Sequence, residues 1–195
     1  MTSISTKLNA VNTILSVVGE PPINSLTGDA ATNSDAVLAQ NILDEISREV
    51  QSQGWHFNTV NDVPMAPDTS GTILIGNTVV RLDSNDTKYD LVLRGTTLYD
   101  RKNRTSTFTD SIKCTVVYLL DFTELPERLI TIRSARVFQD RLVGSQEHHA
   151  FTLRDEQMAL FSMREFEMDT ADPSIFDNDD VYRIINRPSV YTRVS

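Results

Sequence analysis

Residues 48–58 read Arg-Glu-Val-Gln-Ser-Gln-Gly-Trp-His-Phe-Asn, and they mark a change of periodicity along the chain. Before this stretch, apolar residues repeat every four positions from Leu38 to Val50, which is typical of an amphipathic helix. Gly54 ends that pattern. After it the sequence becomes β-branched and rich in turn residues, as in antiparallel strands. The stretch therefore predicts the point where a helical region gives way to a sheet.

The residues upstream predict one more helix. Apolar side chains recur at three-to-four spacing from Ile4 to Val18, and Gly19 with Pro21-Pro22 stops the pattern. Only Lys7 precedes the apolar run, and polar residues interrupt it. We therefore expect a helix here and not a signal peptide.

Two hairpins and a buried strand are predicted downstream of Gly54. Their segments are Thr72–Ile75 and Thr78–Leu82 around Gly76-Asn77, Leu91–Leu93 and Thr96–Tyr99 around Arg94-Gly95, and Lys113–Asp121. Together they predict a small, mainly antiparallel sheet.

Helical periodicity returns after Pro126, which is tolerated in a first helical turn. The first helix has apolar positions from Leu129 to Leu142, and Gly144 breaks it. A second helix is predicted for residues 147–168. We expect its apolar side chains to pack on the earlier helices; they are Phe151, Leu153, Met158, Leu160, Phe161 and Phe166.

The pattern as a whole predicts an α+β fold, an antiparallel helical bundle with an inserted, mainly antiparallel β-sheet subdomain. The predicted bundle is discontinuous and comprises residues 1–54 and 123–170. The inserted sheet comprises residues 55–122, and residues 171–195 form an extended C-terminal arm.

Composition excludes several classes of function. The chain has 195 residues and a formal net charge of −9, from 27 acidic and 18 basic residues, which argues against a surface that grips nucleic-acid phosphates. The single cysteine, Cys114, permits no internal disulfide, so we expect folding in a reducing compartment. No apolar run approaches the roughly 18 residues of a membrane-spanning helix, and we expect no membrane anchor.

We find no pattern that predicts a cofactor, a metal ion or a nucleophilic catalyst. Gly-rich phosphate loops are absent. Ser145 lies near His148 and His149 without the sharp turn that exposes a catalytic serine. The acidic run from Asp177 would need a glutamate at its twelfth position to bind calcium, and Pro188 stands there.

Two features leave a carbohydrate-active alternative open. Glycoside hydrolysis needs a pair of carboxyl groups, and the candidates include Asp44, Glu45 and Glu49. The ordinary interpretation of these acids is that they form ion pairs with Arg48 on one helix. Trp55 is either an aromatic plug where helix meets sheet or a platform for a sugar ring.

Charged segments are the candidate protein interfaces. Arg101, Lys102 and Arg104 form a basic tip between predicted strands, which is either a contact for an acidic partner or a solvated turn. Residues 165–180 contain seven acids and no Lys or Arg, whereas residues 181–195 contain three arginines and no acid. The candidate interface residues in these two segments are Asp177, Asp179, Asp180, Arg183, Arg187 and Arg193.

Several segments resemble the tail tubular protein A family of T7-like podoviruses. The similarity is most specific at Gly19-Glu20-Pro21-Pro22 and Gln53-Gly54-Trp55, continues through Leu98-Tyr99-Asp100 and Arg133–Arg141, and spans about residues 8–144. Beyond Gly144 it is only general.

The resemblance implies a structural virion protein of the tail, assembled in the host bacterial cytoplasm, and not an enzyme. The implied assembly is a dodecameric adaptor ring that joins the portal protein to the tail nozzle and helps to attach tail fibres. Duplex DNA would pass through this ring without specific binding. The alternative is a virion-associated polysaccharide hydrolase that uses an Asp/Glu pair.

Overall fold

The computed structural model describes residues 7–27, 33–122 and 125–171, excluding the side chains of residues 146–148 and 171. Within these ranges the chain forms four helices and five strands. In chain order they are α1 Lys7–Ser16, α2 Ser34–Gln51, β1 Thr59–Met65, β2 Val79–Ser84, β3 Leu91–Arg94, β4 Thr97–Asp100, β5 Ile112–Tyr118, α3 Glu127–Leu142 and α4 Gln146–Ala171. The α+β class predicted from the sequence is confirmed.

The first two helices begin and end where local chemistry dictates. The Asn33 side chain caps α2 by accepting hydrogen bonds from the backbone N–H groups of Asp35 and Ala36. Gly19, with φ of +82°, and Gly54, with φ of +78°, adopt left-handed conformations just beyond α1 and α2. Both helices bury one apolar face, as their periodicity predicts.

Helix α3 packs against each of the other three helices, and α1 packs against α2. The shared apolar cluster, which we call the helical core, draws most of its side chains from α1, α2 and α3. Its largest fully buried members include Ile14, Leu15, Ile42, Leu43, Leu129, Ile130 and Phe138. Helix α4 adds Ala159 and Met163.

Strand β5 is the centre of a three-stranded antiparallel sheet, in the order β1-β5-β2. Its residues Cys114, Val116 and Val117 are fully or almost fully buried, which agrees with the buried strand predicted there. Strands β3 and β4 form the separate hairpin predicted around Arg94-Gly95. These strands enclose a second apolar cluster, the sheet core, distinct from the helical core.

The predicted hairpin of residues 72–75 with residues 78–82 is wrong. Strand β2 pairs with β5, where Leu82 lies opposite Val116 in the sheet core. Residues 73–75 run instead beside β4: the N–H of Leu98 donates to the Ile73 carbonyl at 3.1 Å, and Leu74 forms a bridge with Thr97. In this pairing β2 contributes Leu82 to the sheet core, and such packing against neighbouring strands overrides the local preference for a turn.

Two side chains join the C-terminal end of α2 to β5 and the residues just after it. The Gln51 side chain donates to the Leu120 carbonyl at 3.2 Å and accepts from the Leu120 N–H at 2.7 Å. The Asn58 amide donates to the carbonyls of Gln51 and Tyr118, each at 2.9 Å. Trp55 packs in the helical core and donates its indole N–H to the Val50 carbonyl at 2.7 Å. Trp55 therefore fills the junction of helix and sheet, as the plug interpretation predicts, and its ring is not available as a sugar platform.

Candidate interaction surfaces

The basic tip follows β4 as a tight, internally bonded turn of residues 101–104. Arg101 binds Asp90 through two nitrogens, at 2.8 and 3.1 Å, and this hydrogen-bonded ion pair raises the pKa of Arg101. Lys102 donates its ammonium group to the Thr87 carbonyl at 2.8 Å. Two of the three predicted interface cations are therefore engaged within the chain.

Asp100 organises this turn. Its carboxylate is fully buried and accepts hydrogen bonds from the backbone N–H groups of Asp90, Lys102 and Asn103, and from the Asn103 side chain at 2.6 Å. Burial by itself would raise the pKa of Asp100, but these hydrogen bonds outweigh it and the pKa is lowered. The tip is consequently a shaped loop held by an ionised carboxylate.

Arg104 has the strained backbone of the tip, with φ of +55°, and its side chain is exposed. Among the described residues it makes no ion pair. Arg104 is thus the cation of the tip that is best placed to meet an acidic partner, and the contact itself stays a prediction.

The other predicted interface residues lie outside the described part of the chain. They are Asp177, Asp179, Asp180, Arg183, Arg187 and Arg193. Their role as contacts likewise stays a prediction.

A cluster of charges lies between α3 and α4. The Glu156 carboxylate, on α4, accepts from the Nε of Arg133 at 2.7 Å and from the Nε of Arg136 at 2.5 Å, and all three side chains are at most 20% exposed. Arg136 also contacts Asp140 at 3.2 Å, and Asp140 lies 2.9 Å from His149. Burial would lower the pKa of Arg136, but the hydrogen bond and charge of Glu156 raise it overall.

Ion pairs also connect α2 to its neighbours. Glu45 pairs with Arg141 of α3 through two contacts of 3.0 and 3.1 Å, which lowers the pKa of Glu45 and raises that of Arg141. Glu49 contacts Arg133 of α3 at 3.3 Å, and Asp44 contacts Lys7 of α1 at 2.6 Å. The carboxylates of α2 therefore bridge helices, and the expected pairs with Arg48 are not the ones formed.

The outer face of α4 carries a row of exposed apolar side chains. Phe151 is 71% exposed, Met158 59%, Phe161 69% and Met168 68%. We name these four residues the α4 stripe. The prediction that the apolar face of this helix packs on the earlier helices is confirmed in part for Leu160, which packs against the helical core. It is wrong for the exposed side chains, which are Phe151, Leu153, Met158, Phe161 and Phe166.

The inner face of α4 explains this orientation. Glu156, Ala159 and Met163 are the side chains that it buries. Arg133 and Arg136 stand beside the apolar positions of α3, where a cation needs an acidic partner, and Glu156 supplies it. Sequence reasoning missed this cluster; the two arginines flanking the apolar face were the signal that could have identified it.

A polysaccharide hydrolase would need a groove that binds its substrate, and the described residues form an open groove of about 570 Å³. Its lining includes Asp62, Asp86 and Asp110, together with Lys88 and Lys113. Asp62 and Asp110 are exposed, and Asp62 accepts a hydrogen bond from the Asn85 amide at 3.0 Å. Carbohydrate hydrolysis requires two carboxyl groups that flank a bound sugar, and these aspartates are the carboxylates that the groove offers.

Within residues 7–27, 33–122 and 125–171, no group of three or more His, Cys, Asp or Glu side chains is arranged to hold a metal ion. In the same ranges no helix is long and apolar enough to span a membrane.

Comparison with known proteins gives two consistent matches. The sequence profile of the family described as tail tubular protein matches residues 8–173. Tail tubular protein A of Klebsiella phage KP34 is 27% identical over 165 residues, which cover 82% of this chain and 86% of that protein. Both matches extend past Gly144 and include most of α4.

Proposed function

Because this chain belongs to the tail tubular protein family, we propose that it is one subunit of an adaptor ring between the portal and the tail nozzle of a bacteriophage. Membership of this family itself makes the chain a structural protein of a phage tail. The observation that carries the proposal is the family match over residues 8–173. In the proposed assembly, twelve copies form the ring and help to attach tail fibres.

A ring of identical subunits imposes a requirement on the surface of each copy. Its contacts are head-to-tail and close by rotation, so every copy presents two different, complementary patches. The acidic residues 165–180 and the arginines of residues 181–195 are one candidate pair, within the ring or toward the portal. Substituting glutamate for Arg183, Arg187 and Arg193 should then weaken assembly; unchanged ring formation and unchanged portal binding would exclude this role.

The charge of the chain suits a passage for DNA. Twelve copies at −9 each carry −108 in total. Phosphates bind through Lys and Arg, which release counterions, so an acidic ring favours sliding over retention. We expect no tight, salt-sensitive binding of duplex DNA by the purified protein, and a gel-shift titration at low and physiological salt would detect it.

The polysaccharide hydrolase is the alternative from a different class. The groove with Asp62, Asp86 and Asp110 is where it would have to operate. Hydrolysis of capsular polysaccharide that disappears in the variants D62N or D86N would support it. We expect no such activity, because the family membership indicates a structural tail protein.

The adaptor proposal is tested by native mass spectrometry of the purified chain, alone and mixed with the portal protein of the same phage. We expect a complex that contains portal and twelve copies of this chain. A chain that stays monomeric and does not bind portal would contradict the proposal. Repeating the measurement with a second, independently assembled portal preparation controls for portal that is unable to bind.

A further inference from the structure

We propose that the α4 stripe is the surface through which this chain contacts a second copy of itself. The inference rests on the proposed ring, and it names a surface for the contact between neighbouring subunits. Phe151, Met158, Phe161 and Met168 are separated by seven, three and seven residues, which places them along one side of a helix. At 1.5 Å per residue, the stripe is about 25 Å long.

The stripe contributes little to the fold of its own subunit. Helix α4 attaches to α3 through Glu156, Ala159 and Met163 on its opposite face. All four stripe side chains are more than half exposed. A soluble helix normally buries its large apolar residues and exposes its charges. Helix α4 instead buries a glutamate and exposes three phenylalanines, two of them in the stripe, which indicates that a partner covers the outer face.

The exposed area is appropriate for a contact between proteins. A phenylalanine buries roughly 150–250 Å² when it is covered, so the four side chains at their observed exposures offer roughly 500 Å² of apolar surface. A standard interface covers about 800 Å² on each partner. The stripe therefore supplies more than half of one side of such an interface, in aromatic and methionine side chains that are enriched there.

The charges beside the stripe favour a second copy over a strongly charged partner. Around the stripe, the exposed bases Arg154 and Arg164 are offset by the exposed acids Asp155, Glu165 and Asp169, which leaves a net charge of −1. Copies of a chain with a net charge of −9 repel each other, except where they meet through a face whose local charge is close to neutral. The α4 stripe is such a face, and its side chains lie outside the contact of α4 with α3.

The test compares two matched double variants of the full chain with the wild type. F151Q/F161Q removes both aromatic anchors without adding charge. L74Q/V60Q removes two exposed apolar side chains, 66% and 48% exposed, that lie outside α4. Sedimentation velocity over a concentration series, alone and with portal, measures assembly, and thermal unfolding verifies that each variant is folded.

We expect F151Q/F161Q to weaken assembly by at least about 30-fold, the effect of losing an interface hot spot, while L74Q/V60Q assembles like the wild type. Rings of F151Q/F161Q with wild-type affinity would overturn this inference and leave the proposed function intact. So would rings that form normally but fail to bind portal, since the stripe would then contact the portal. A lower Tm with unchanged assembly would also overturn it, because the same chain would then cover the stripe. A wild-type chain that stays monomeric even with portal would refute the proposed function together with this inference.

Discussion

Replacing Glu156 with alanine tests whether α4 is held to the helices by charge. The substitution leaves Arg133 and Arg136 without the carboxylate that each contacts through its Nε, at 2.7 and 2.5 Å. Removing one partner of a buried ion pair costs about 3–5 kcal/mol. Here each arginine keeps a second acid, Glu49 at 3.3 Å or Asp140 at 3.2 Å, so we expect a loss of about 2–3 kcal/mol.

In a protein of this size each kcal/mol lowers the Tm by about 2–4 °C, so E156A should unfold about 5–10 °C below the wild type. The matched control is E165A, which makes the same change on the exposed face of the same helix and should unfold within about 0.5 kcal/mol of wild type. Urea unfolding followed by circular dichroism, at a concentration where both proteins are in the same assembly state, gives the free energies. Equal stabilities of E156A and E165A would refute the reasoning that an ionic contact docks α4.

Three further predictions concern the sheet and its junction. N58A removes the hydrogen bonds that Asn58 donates to the carbonyls of Gln51 and Tyr118, and should cost about 2–4 kcal/mol in urea unfolding; a loss below about 0.5 kcal/mol would contradict this. The lowered pKa of Asp100 stabilises the fold above its unfolded pKa of about 3.9, and this contribution is lost as the pH falls through the folded value; the stability advantage of the wild type over D100N should therefore shrink below about pH 4, and a constant difference would count against it. Burial raises the pKa of the Cys114 thiol to about 11, so a thiol reagent at pH 8 should label it only at the rate of unfolding, and immediate labelling of the native protein would contradict its burial.

The sequence predicted the features that depend on local periodicity. The apolar positions of α1, α2 and α3 repeat at helical spacing, and each of these helices buries the expected face because one contiguous core lies on that side. The hairpin around Arg94-Gly95 was predictable for the same reason, since its two strands pair through a short turn.

Features set by long-range pairing were not predictable in this way. Strand β1 was missed because its pairing with β5 shifts register between Val60 and Val63, with Asp62 at a φ of +57°, and this irregularity removes the simple alternation of a strand. The incorrect hairpin of residues 72–82 has the opposite origin. The local turn is favourable, but β2 pairs instead with β5, whose partner residues lie 30 or more positions away.

The predicted orientation of α4 was wrong because periodicity identifies an apolar face but does not show what covers it. Two arginines on α3 selected the face with Glu156, and the phenylalanines were left outside. Of the predicted interface residues, Arg101 and Lys102 are bonded to Asp90 and Thr87, in the segment that precedes β3. A sequence pattern assigns charge to a loop but cannot show which charges the loop itself uses.

The central claim is that this chain forms the ring between portal and nozzle. Cryo-electron microscopy of the head-to-tail junction of intact virions tests it most directly. We predict a ring of twelve copies below the portal, with the fold of the described residues fitting each copy and the α4 stripe facing the next one. Density for this chain elsewhere in the virion, or its absence from the junction, would contradict the account.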